Sequence, residues 1–347
     1  MPASNNAPVP ANPGRIAAVK RRVRQLVGTS YTAQGEHLDP LNGPPPTFTG
    51  WSRDEIEAFH SPEMDAFRAG LPPADGGSIR DGVVGDLSTF YDLPPDECAR
   101  RAVNWEAWSV DEWSSADRST PDGLRQFYRT TASWSFDLLW YAYLQAEGYG
   151  APMSVTVARF LRDRGVRSGV HLDFGSGVGA TSQLFEAMGF ETTLADVADG
   201  MLAFARFRLE RRGSSATFLN LNHDELPTAR FDAVTAFDVL AHVPDLDVSL
   251  DALWRSIKPG GWLFATFDVR PATAESAWHL YDEEWDLCAQ VLEAGFTQRA
   301  GLGTVRCYQR LDQRTSARWR AAALNRNPVL RAARRGAQTL EVRLRHR

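Results

Sequence analysis

The stretch that most constrains this chain is residues 170–179, which read Val-His-Leu-Asp-Phe-Gly-Ser-Gly-Val-Gly. An apolar run predicted to be a strand meets glycines at 175, 177 and 179 and then a helical pattern over residues 180–188. Such a turn is typical of a ligand site, because glycine has no β-carbon to keep the backbone N–H groups and the helix N-terminus away from a ligand. The stretch Gly-x-Gly-x-x-Ala also satisfies the dinucleotide fingerprint, so it leaves a nicotinamide or flavin enzyme open.

From residue 155 onward, strand and helix patterns alternate. Strands are predicted over 170–174, 192–197, 216–221, 233–237 and 262–268, with helices over 155–164, 180–188, 199–212, 248–257 and 281–294. Lys-Pro-Gly-Gly at 258–261 predicts a helix stop and turn, and residues 297–311 predict a terminal hairpin. This alternation predicts an α/β fold, a Rossmann-like doubly wound sheet that is mostly parallel with a C-terminal antiparallel hairpin.

An N-terminal helical domain is predicted over residues 51–150, with helix starts at Ser52 and Pro94-Pro95. Aromatic residues concentrate there, and a helix over 131–145 is apolar nearly all round apart from Asp137, which indicates burial between two layers. Two interpretations stay open. The rings form the core of a small helical domain, or they form a lid that lines a substrate pocket.

The two ends of the chain have a different character. Residues 1–50 are rich in proline and predict a disordered or partly helical arm, with a basic amphipathic patch at 15–26. Residues 312–347 hold ten arginines against two acids and predict a helical tail. Each basic segment fits a solvated helix face, and each also fits contact with an anionic partner or lipid surface. The predicted plan is therefore arm, helical domain, α/β domain over 151–311, and tail.

Composition limits the function classes. The chain of 347 residues is 43% hydrophobic and has a net charge of −5, which argues against nucleic acid as the main partner. Its three cysteines are far apart and predict neither a disulfide framework nor a metal site, so a cytoplasmic location is expected. Neither a signal peptide nor a transmembrane segment is predicted.

Several motifs in order resemble the class I S-adenosylmethionine-dependent methyltransferases. They are Leu-Asp-Phe-Gly-Ser-Gly-Val-Gly at 172–179, Asp-Val-Ala-Asp-Gly-Met-Leu at 196–202, Asp-Glu-Leu-Pro at 224–227, Phe-Asp-Ala-Val at 231–234, and the segment 253–261 that ends in Lys-Pro-Gly-Gly. The resemblance covers about residues 151–311. It leaves the dinucleotide alternative poorly supported, because a nicotinamide enzyme would not explain the later motifs.

The resemblance implies a role for each matched residue. The glycine loop would close over the methionine and ribose of S-adenosylmethionine, Asp173 would lie near the ammonium and sulfonium, and Asp196 would accept the ribose hydroxyls. At the position where the family usually has an acid for the adenine amino group, this chain has Asn222, with Asp224 as an alternative. The full predicted cofactor set is Asp173, Gly175, Ser176, Gly177, Gly179, Asp196, Val197, Asn222, His223 and Phe237.

Methyl transfer from a sulfonium needs alignment above all, and it needs a base only where the acceptor must lose a proton. His242 is the predicted base, because it follows the fourth strand and its type titrates near neutral pH. Other candidates are His279, Tyr281, Tyr128 and Arg129.

The expected function is methylation of a small molecule. Oxygen is expected as the methylated atom because it is the commonest acceptor. A methyltransferase acting on RNA or protein through the tail, and a non-catalytic cofactor-binding protein, remain alternatives, and the sequence does not indicate an oligomeric state.

Overall fold

The computed structural model describes residues 38–117, 119–269, 280–281 and 283–312. The predicted helix at 15–26, the candidate base His279 and nearly all of the arginine-rich tail lie outside these residues.

A seven-stranded sheet forms the centre of the molecule. Its strands lie in the order β3-β2-β1-β4-β5-β7-β6, and β7 runs antiparallel to both neighbours while the other pairs are parallel. This confirms the predicted doubly wound sheet with its C-terminal hairpin. The strands are β1 (Gly169–Phe174), β2 (Phe190–Asp196), β3 (Thr217–Asn220), β4 (Phe231–Ala236), β5 (Ile257–Ala265), β6 (Phe296–Leu302) and β7 (Val305–Arg310).

The order of strands reverses between β1 and β4, because the chain first adds β2 and β3 on one side and then crosses to the other. In open parallel sheets such a point leaves a crevice at the carboxyl ends of the strands, which is where ligands bind. The glycine loop follows β1 at this position. The helices of this half are α8 (Met153–Asp163), α9 (Ala180–Ala187), α10 (Asp199–Glu210), α11 (Leu246–Ser256) and α12 (Glu284–Glu293).

Two local predictions in this half are corrected. Residues 258–261 are part of β5, because the pairing with β4 passes from Phe231–Ile257 to Ala233–Trp262 and leaves four residues bulged on β5 against one on β4. Lys258 Nζ lies 2.8 Å from a carboxylate oxygen of Asp232. This ion pair holds the bulge against β4. The last helix begins at Glu284, not at 281.

The predicted helical region is confirmed over residues 53–147. Its helices are α1 (Arg53–Phe59), α2 (Pro62–Ala69), α3 (Ile79–Tyr91), α4 (Pro95–Val103), α5 (Trp105–Ser115), α6 (Pro121–Thr130) and α7 (Ser133–Glu147). A capping box between Ser52 and Glu55 begins α1, and Pro95 is the first residue of α4. Helix α7 is buried along most of its length, as its all-round apolar pattern predicts.

The helical region shares its core with the α/β half. One hydrophobic cluster joins Leu87, Phe136 and Trp140 of the helices to Val178 of the glycine loop and Phe204 of α10. Residues 38–50, predicted as part of the arm, contain no helix or strand but bond to α7 and its C-terminal loop. Trp140 Nε1 donates to the Leu38 carbonyl at 3.0 Å, and the Tyr149 hydroxyl donates to the Pro44 carbonyl at 2.6 Å.

A buried ion pair crosses this same boundary. Arg208 of α10 is 1% exposed and lies 3.1 Å from the carboxylate of Asp86 on α3. Its guanidinium also donates to the Val178 carbonyl at 2.5 Å, so it reaches the glycine loop as well. Burial lowers the pKa of Arg208 to about 10. In the described part of the chain, none of the helices has the length and apolar character required to cross a bilayer.

Candidate functional site

Gly175 is the first residue of the loop that follows β1. Its φ of 69° is left-handed, and its N–H donates to the Ala195 carbonyl at 2.8 Å. A β-carbon at this position would lie 2.6 Å from the Cβ of Val239, and neither backbone could yield easily. Glycine is therefore required here both by backbone conformation and by space.

The other two glycines of the loop have different functions. The N–H of Gly177 donates to Asp196 Oδ2 at 2.9 Å, and Gly177 lines a large cavity beside the loop. Gly179 precedes α9, and a β-carbon there would lie 2.9 Å from Leu194 and 3.1 Å from Leu209. Gly179 is not among the residues that line the cavity. The structure thus gives Gly179 a packing function between α9, β2 and α10.

Asp196 ends β2 beside the glycine loop. It is 6% exposed, and its Oδ1 accepts from the Ala198 N–H at 2.9 Å while Oδ2 accepts from Gly177. Burial raises the pKa of this carboxyl, and the backbone donors oppose that rise. Each oxygen has a further lone pair, so the carboxylate can accept hydroxyl groups from a ligand in the cavity.

Asp173 lies at the end of β1, also against the cavity. It is 4% exposed and accepts hydrogen bonds from Thr235 Oγ1 at 2.8 Å and from Ser182 Oγ at 3.0 Å. Burial raises its pKa to about 7, against the opposing effect of these hydroxyls. Near neutral pH this carboxyl is therefore poised between its two protonation states.

The loop after β3 brings some of its predicted residues to the cavity. Asn222 lines it, and the amide nitrogen of Asn222 donates to the Val197 carbonyl and to Asn220 Oδ1, each at 2.8 Å. Asp224 also lines the cavity and accepts from the Asn220 N–H. His223 is exposed and is not among the lining residues, so the structure does not bring it to the site.

The loop after β4 places Phe237, Asp238 and His242 along the cavity. Asp238 has a φ of 51°, a left-handed conformation that is uncommon outside glycine and turns the chain sharply at the sheet edge. His242 ends a short 3-10 helix, Leu240–His242. Its ring centroid lies 6.3 Å from that of Tyr128 and 6.2 Å from that of Trp134. The predicted base therefore contacts the helical region.

The remaining sequence candidates lie elsewhere or have other partners. The Tyr281 hydroxyl donates to the Val243 carbonyl at 3.3 Å, and Tyr281 does not line the cavity. Arg129 forms an ion pair with Asp199 at 3.1 Å. Tyr128 does line the cavity, and burial raises its pKa well above the usual value, so its hydroxyl stays protonated.

The cavity has a volume of about 860 Å³. The glycine loop and the ends of β1, β2 and β4 form its base, and helices of the N-terminal region form the opposite wall. That wall is largely aromatic and apolar, and its members include Trp105, Tyr128, Trp134, Leu138 and Tyr141. The structure thus favours the interpretation of the aromatic helices as a pocket wall, while α7 contributes to the core as well.

Three residues of this site were not predicted. Thr235 and Ser182 hold Asp173 from β4 and α9. Thr235 carried a signal, since it is the one polar residue of the predicted strand 233–237. Leu138 approaches Gly177, where an added β-carbon would lie 2.5 Å from its Cδ1. No sequence signal singles out Leu138, because α7 is apolar on nearly every face.

The comparison with protein families agrees with this geometry. Residues 172–265, from the end of β1 through β5, match the family described as "Methyltransferase domain". This segment of the chain is therefore similar to a methyltransferase domain. The methyl donor of such domains is S-adenosylmethionine, and this match together with the strand order confirms the resemblance read from the motifs.

Curated relatives match about a quarter of the chain. The ubiquinone biosynthesis O-methyltransferase of Paramagnetospirillum magneticum is 36% identical over 91 residues, which are 26% of this chain and 36% of that protein. The enzyme of the same name from Nitrosomonas europaea is 32% identical over 96 residues, which are 27% of this chain and 41% of that protein. The chain thus spans less than half the length of these curated relatives.

Solved structures are similar over a larger share of the chain. Phosphoethanolamine N-methyltransferase 2 of Haemonchus contortus, in complex with S-adenosyl-L-methionine, is 20% identical with a TM-score of 0.41, covering 50% of this chain and 44% of that one. A TM-score of 0.41 is too low for this structural similarity to indicate a function.

The methyltransferase domain offers groups that fit the cofactor. Ser176 lines the cavity beside Gly175 and Gly177, and its buried hydroxyl has no hydrogen-bond partner among the described residues. A buried polar group without a partner costs free energy, so a ligand that bonds to Ser176 would remove a penalty. Within the described ranges, three or more His, Cys, Asp or Glu residues nowhere form a group that could hold a metal ion.

Proposed function

We propose that this protein transfers the methyl group of S-adenosylmethionine to a small-molecule acceptor, at an oxygen atom. The observation that carries the proposal is the cavity, which joins the glycine loop of the methyltransferase domain to an aromatic wall within one volume of about 860 Å³. Small-molecule sites usually occupy roughly 300–1,000 Å³, so this volume suits a small acceptor better than a macromolecule.

The cofactor half of the cavity is assigned from its polar groups. The backbone of Gly175 and Gly177 allows close approach of the methionine portion, and Asp173 faces its ammonium group. Asp196 accepts the ribose hydroxyls with the lone pairs that Gly177 and Ala198 leave unused. When bound, the cofactor supplies a methyl group already activated by its sulfonium.

The adenine portion is assigned to the loops after β2 and β3. Val197 is 39% exposed at the cavity and offers an apolar surface to one face of the base. Asn222 uses its amide nitrogen within the protein, which leaves its amide oxygen as the acceptor for the adenine amino group. Phe237 lies at the carboxyl end of β4, near the place where methyl group and acceptor meet.

The acceptor half is assigned to the aromatic wall and His242. The rings of Tyr128 and Trp134 hold the His242 ring between the helical region and the edge of the sheet. A neutral imidazole there can take the proton that a hydroxyl acceptor loses during methyl transfer. Tyr128 keeps its proton, because burial raises its pKa, so it can donate a hydrogen bond but cannot act as the base.

The names of the curated relatives support oxygen as the methylated atom, since both are O-methyltransferases. They match only about a quarter of this chain, so their acceptor is not carried over to it. The aromatic wall belongs to the helical region, outside residues 172–265 that match the methyltransferase family, so we assign acceptor choice to the helical region.

Isothermal titration calorimetry with S-adenosylmethionine and S-adenosylhomocysteine tests the cofactor half. Wild-type protein is expected to bind both, and Asp196→Ala is expected to lose at least about tenfold in affinity, as expected for removal of a buried charged acceptor. Asp111→Ala is the matched control, because Asp111 is exposed on α5 away from the cavity. Absence of binding heat in the wild type would overturn the proposal.

A further inference from the structure

A buried chain of hydrogen bonds lies beneath the cofactor half of the cavity. His171 and Thr235 are both fully buried, and His171 Nε2 lies 2.9 Å from Thr235 Oγ1. Thr235 Oγ1 lies 2.8 Å from Asp173 Oδ1. The His171 ring stacks on Phe185 with centroids 3.9 Å apart and planes inclined by 14°. The imidazole is thus fixed by packing, and it bonds to Asp173 through one hydroxyl.

The direction of these hydrogen bonds follows from the protons available. Thr235 has one hydroxyl proton, and its alternative acceptor, the Leu172 carbonyl, is at 3.5 Å. The proton therefore belongs to the 2.8 Å contact with Asp173. Burial lowers the pKa of His171 to about 3, so its neutral ring has a single N–H. With Nε2–H donating to Thr235, the hydroxyl is free to donate onward to Asp173.

The surroundings of Asp173 supply hydrogen-bond donors but little positive charge. Ser182 of α9 is fully buried and donates to Asp173 Oδ2 at 3.0 Å. Asp173 forms no salt bridge among the described residues. The titratable groups that face it are Asp196 from β2, which raises its pKa, and neutral His171 from its own strand, while β4 and α9 offer hydroxyls.

We propose that Thr235 and His171 are positioning residues that favour the ionised form of Asp173 and direct it at the cofactor, and that cofactor binding converts the protonated fraction of Asp173 to the carboxylate with release of its proton. This inference rests on the proposed function, in which the ammonium group of the cofactor lies against Asp173. Buried hydroxyl donors stabilise the carboxylate only in part, and an arriving cation completes its stabilisation.

The coupling has a definite sign. The pKa of Asp173 in the free protein is about 7, so the carboxyl is largely protonated below pH 6 and largely ionised above pH 8. The affinity for a cationic ligand is therefore highest above pH 8, where Asp173 is ionised, and it falls as the pH drops through 7. Loss of the Thr235 hydroxyl removes a donor from the ionised form, and the midpoint moves to higher pH.

The test is the affinity for S-adenosylhomocysteine, measured by calorimetry from pH 5.5 to 9. Thr235→Val is expected to raise the pH midpoint by about one unit, and Thr235→Ser is expected to restore it. Thr192→Val is the matched control, because Thr192 is buried in β2 opposite His171 and does not line the cavity. His171→Phe keeps a ring against Phe185 and is expected to raise the midpoint by a smaller amount.

A second measurement needs only wild-type protein, in case a variant fails to fold. Calorimetry at pH 6.5 in buffers of different ionisation enthalpy counts the protons released on binding, and more than half a proton per site is expected if about 7 is the starting pKa. Binding without proton release, or an unchanged midpoint in Thr235→Val, overturns this inference and leaves the proposed function intact. A wild type that binds no S-adenosylhomocysteine at any pH overturns both.

Discussion

At the residue scale, the site depends on a few positions where one residue type is required. Gly175 is the clearest, because its left-handed backbone and its contact with Val239 both exclude a side chain. Asp173 and Asp196 end neighbouring strands and are both buried against the cavity. The raised pKa values of both carboxyls follow from that burial.

Gly175→Ala tests the glycine loop. The β-carbon is expected to displace Val239 and to strain the backbone, which together should lower the free energy of unfolding by about 1–3 kcal/mol. Affinity for S-adenosylhomocysteine should fall at the same time. Urea unfolding and calorimetry measure the two effects. Gly200→Ala in α10 is the control, because space around Gly200 is open and its backbone is helical, so no loss is expected.

His242→Gln tests the assigned base. The substitution keeps a hydrogen-bonding side chain of similar length but removes the titrating group. We expect kcat to fall by about 10²–10⁴-fold while the affinity for S-adenosylhomocysteine changes little. Tyr128→Phe, which contacts the same ring, is expected to retain most of the turnover. If His242→Gln turns over at the wild-type rate, His242 is not the base.

His171 provides a prediction about stability and pH. Its pKa is about 3 when folded, well below its ordinary value of 6.5, so its contribution to stability is complete above pH 6.5 and is lost as the pH falls toward 3. The His171→Phe variant has no imidazole to protonate, so its stability does not fall with pH in this way. The stability deficit of the variant at pH 7.5 is therefore expected to shrink by about 2 kcal/mol at pH 5, as measured by urea unfolding. A deficit that stays constant with pH would show that His171 does not titrate in this way.

At the element scale, the position of α10 links the two halves of the site. The helix follows Asp196 and Val197, packs beneath Gly179, and sends Arg208 to Asp86 on α3. Arg212 adds a second contact to Asp86 at 2.9 Å. Because the partners are buried, this network fixes the helical region against the glycine loop, and hence the aromatic wall against the cofactor half.

Asp86→Ala tests this ion-pair network between α3 and α10. The change leaves the Arg208 charge buried without its carboxylate, and loss of one partner of a buried pair costs about 3–5 kcal/mol. Glu210→Ala on the same helix is the control, because the Arg206–Glu210 pair is exposed and its ions are 3.9 Å apart. Its loss should cost less than about 1 kcal/mol. Equal effects of the two substitutions on urea unfolding would contradict the structural role of Asp86.

At the scale of the whole molecule, the helical region and the α/β half form one packed unit in the described chain. Leu87 and Phe136 share a core with Val178 and Phe204, and the cavity lies between the two halves. A smaller cluster around Trp105, Trp113, Phe127 and Tyr128 belongs to the helical region alone. The glycine loop and the aromatic wall, on the two sides of the cavity, are held by the same core.

This packing predicts cooperative unfolding. Far-ultraviolet circular dichroism and tryptophan fluorescence should give coincident urea transitions, since six of the eleven tryptophans belong to residues 51–150 while circular dichroism reports the helices and strands of both halves. Residues 151–312 expressed alone should expose Val178 and Phe204 and fail to unfold cooperatively. Two separate transitions in the full chain would contradict the shared core.

The sequence by itself determined the sheet and its hairpin, because strand and helix periodicities and the glycine loop are local patterns. Asp173, Gly175 and Asp196, which it predicted as cofactor residues, line the cavity, and their function there stays a prediction. Only the tertiary structure decided that Gly179 packs against β2 and α10, that His223 is exposed and does not line the cavity, and that Asp173 is bonded to Thr235, which is bonded in turn to His171. These depend on contacts between residues far apart in the chain, which no local pattern encodes.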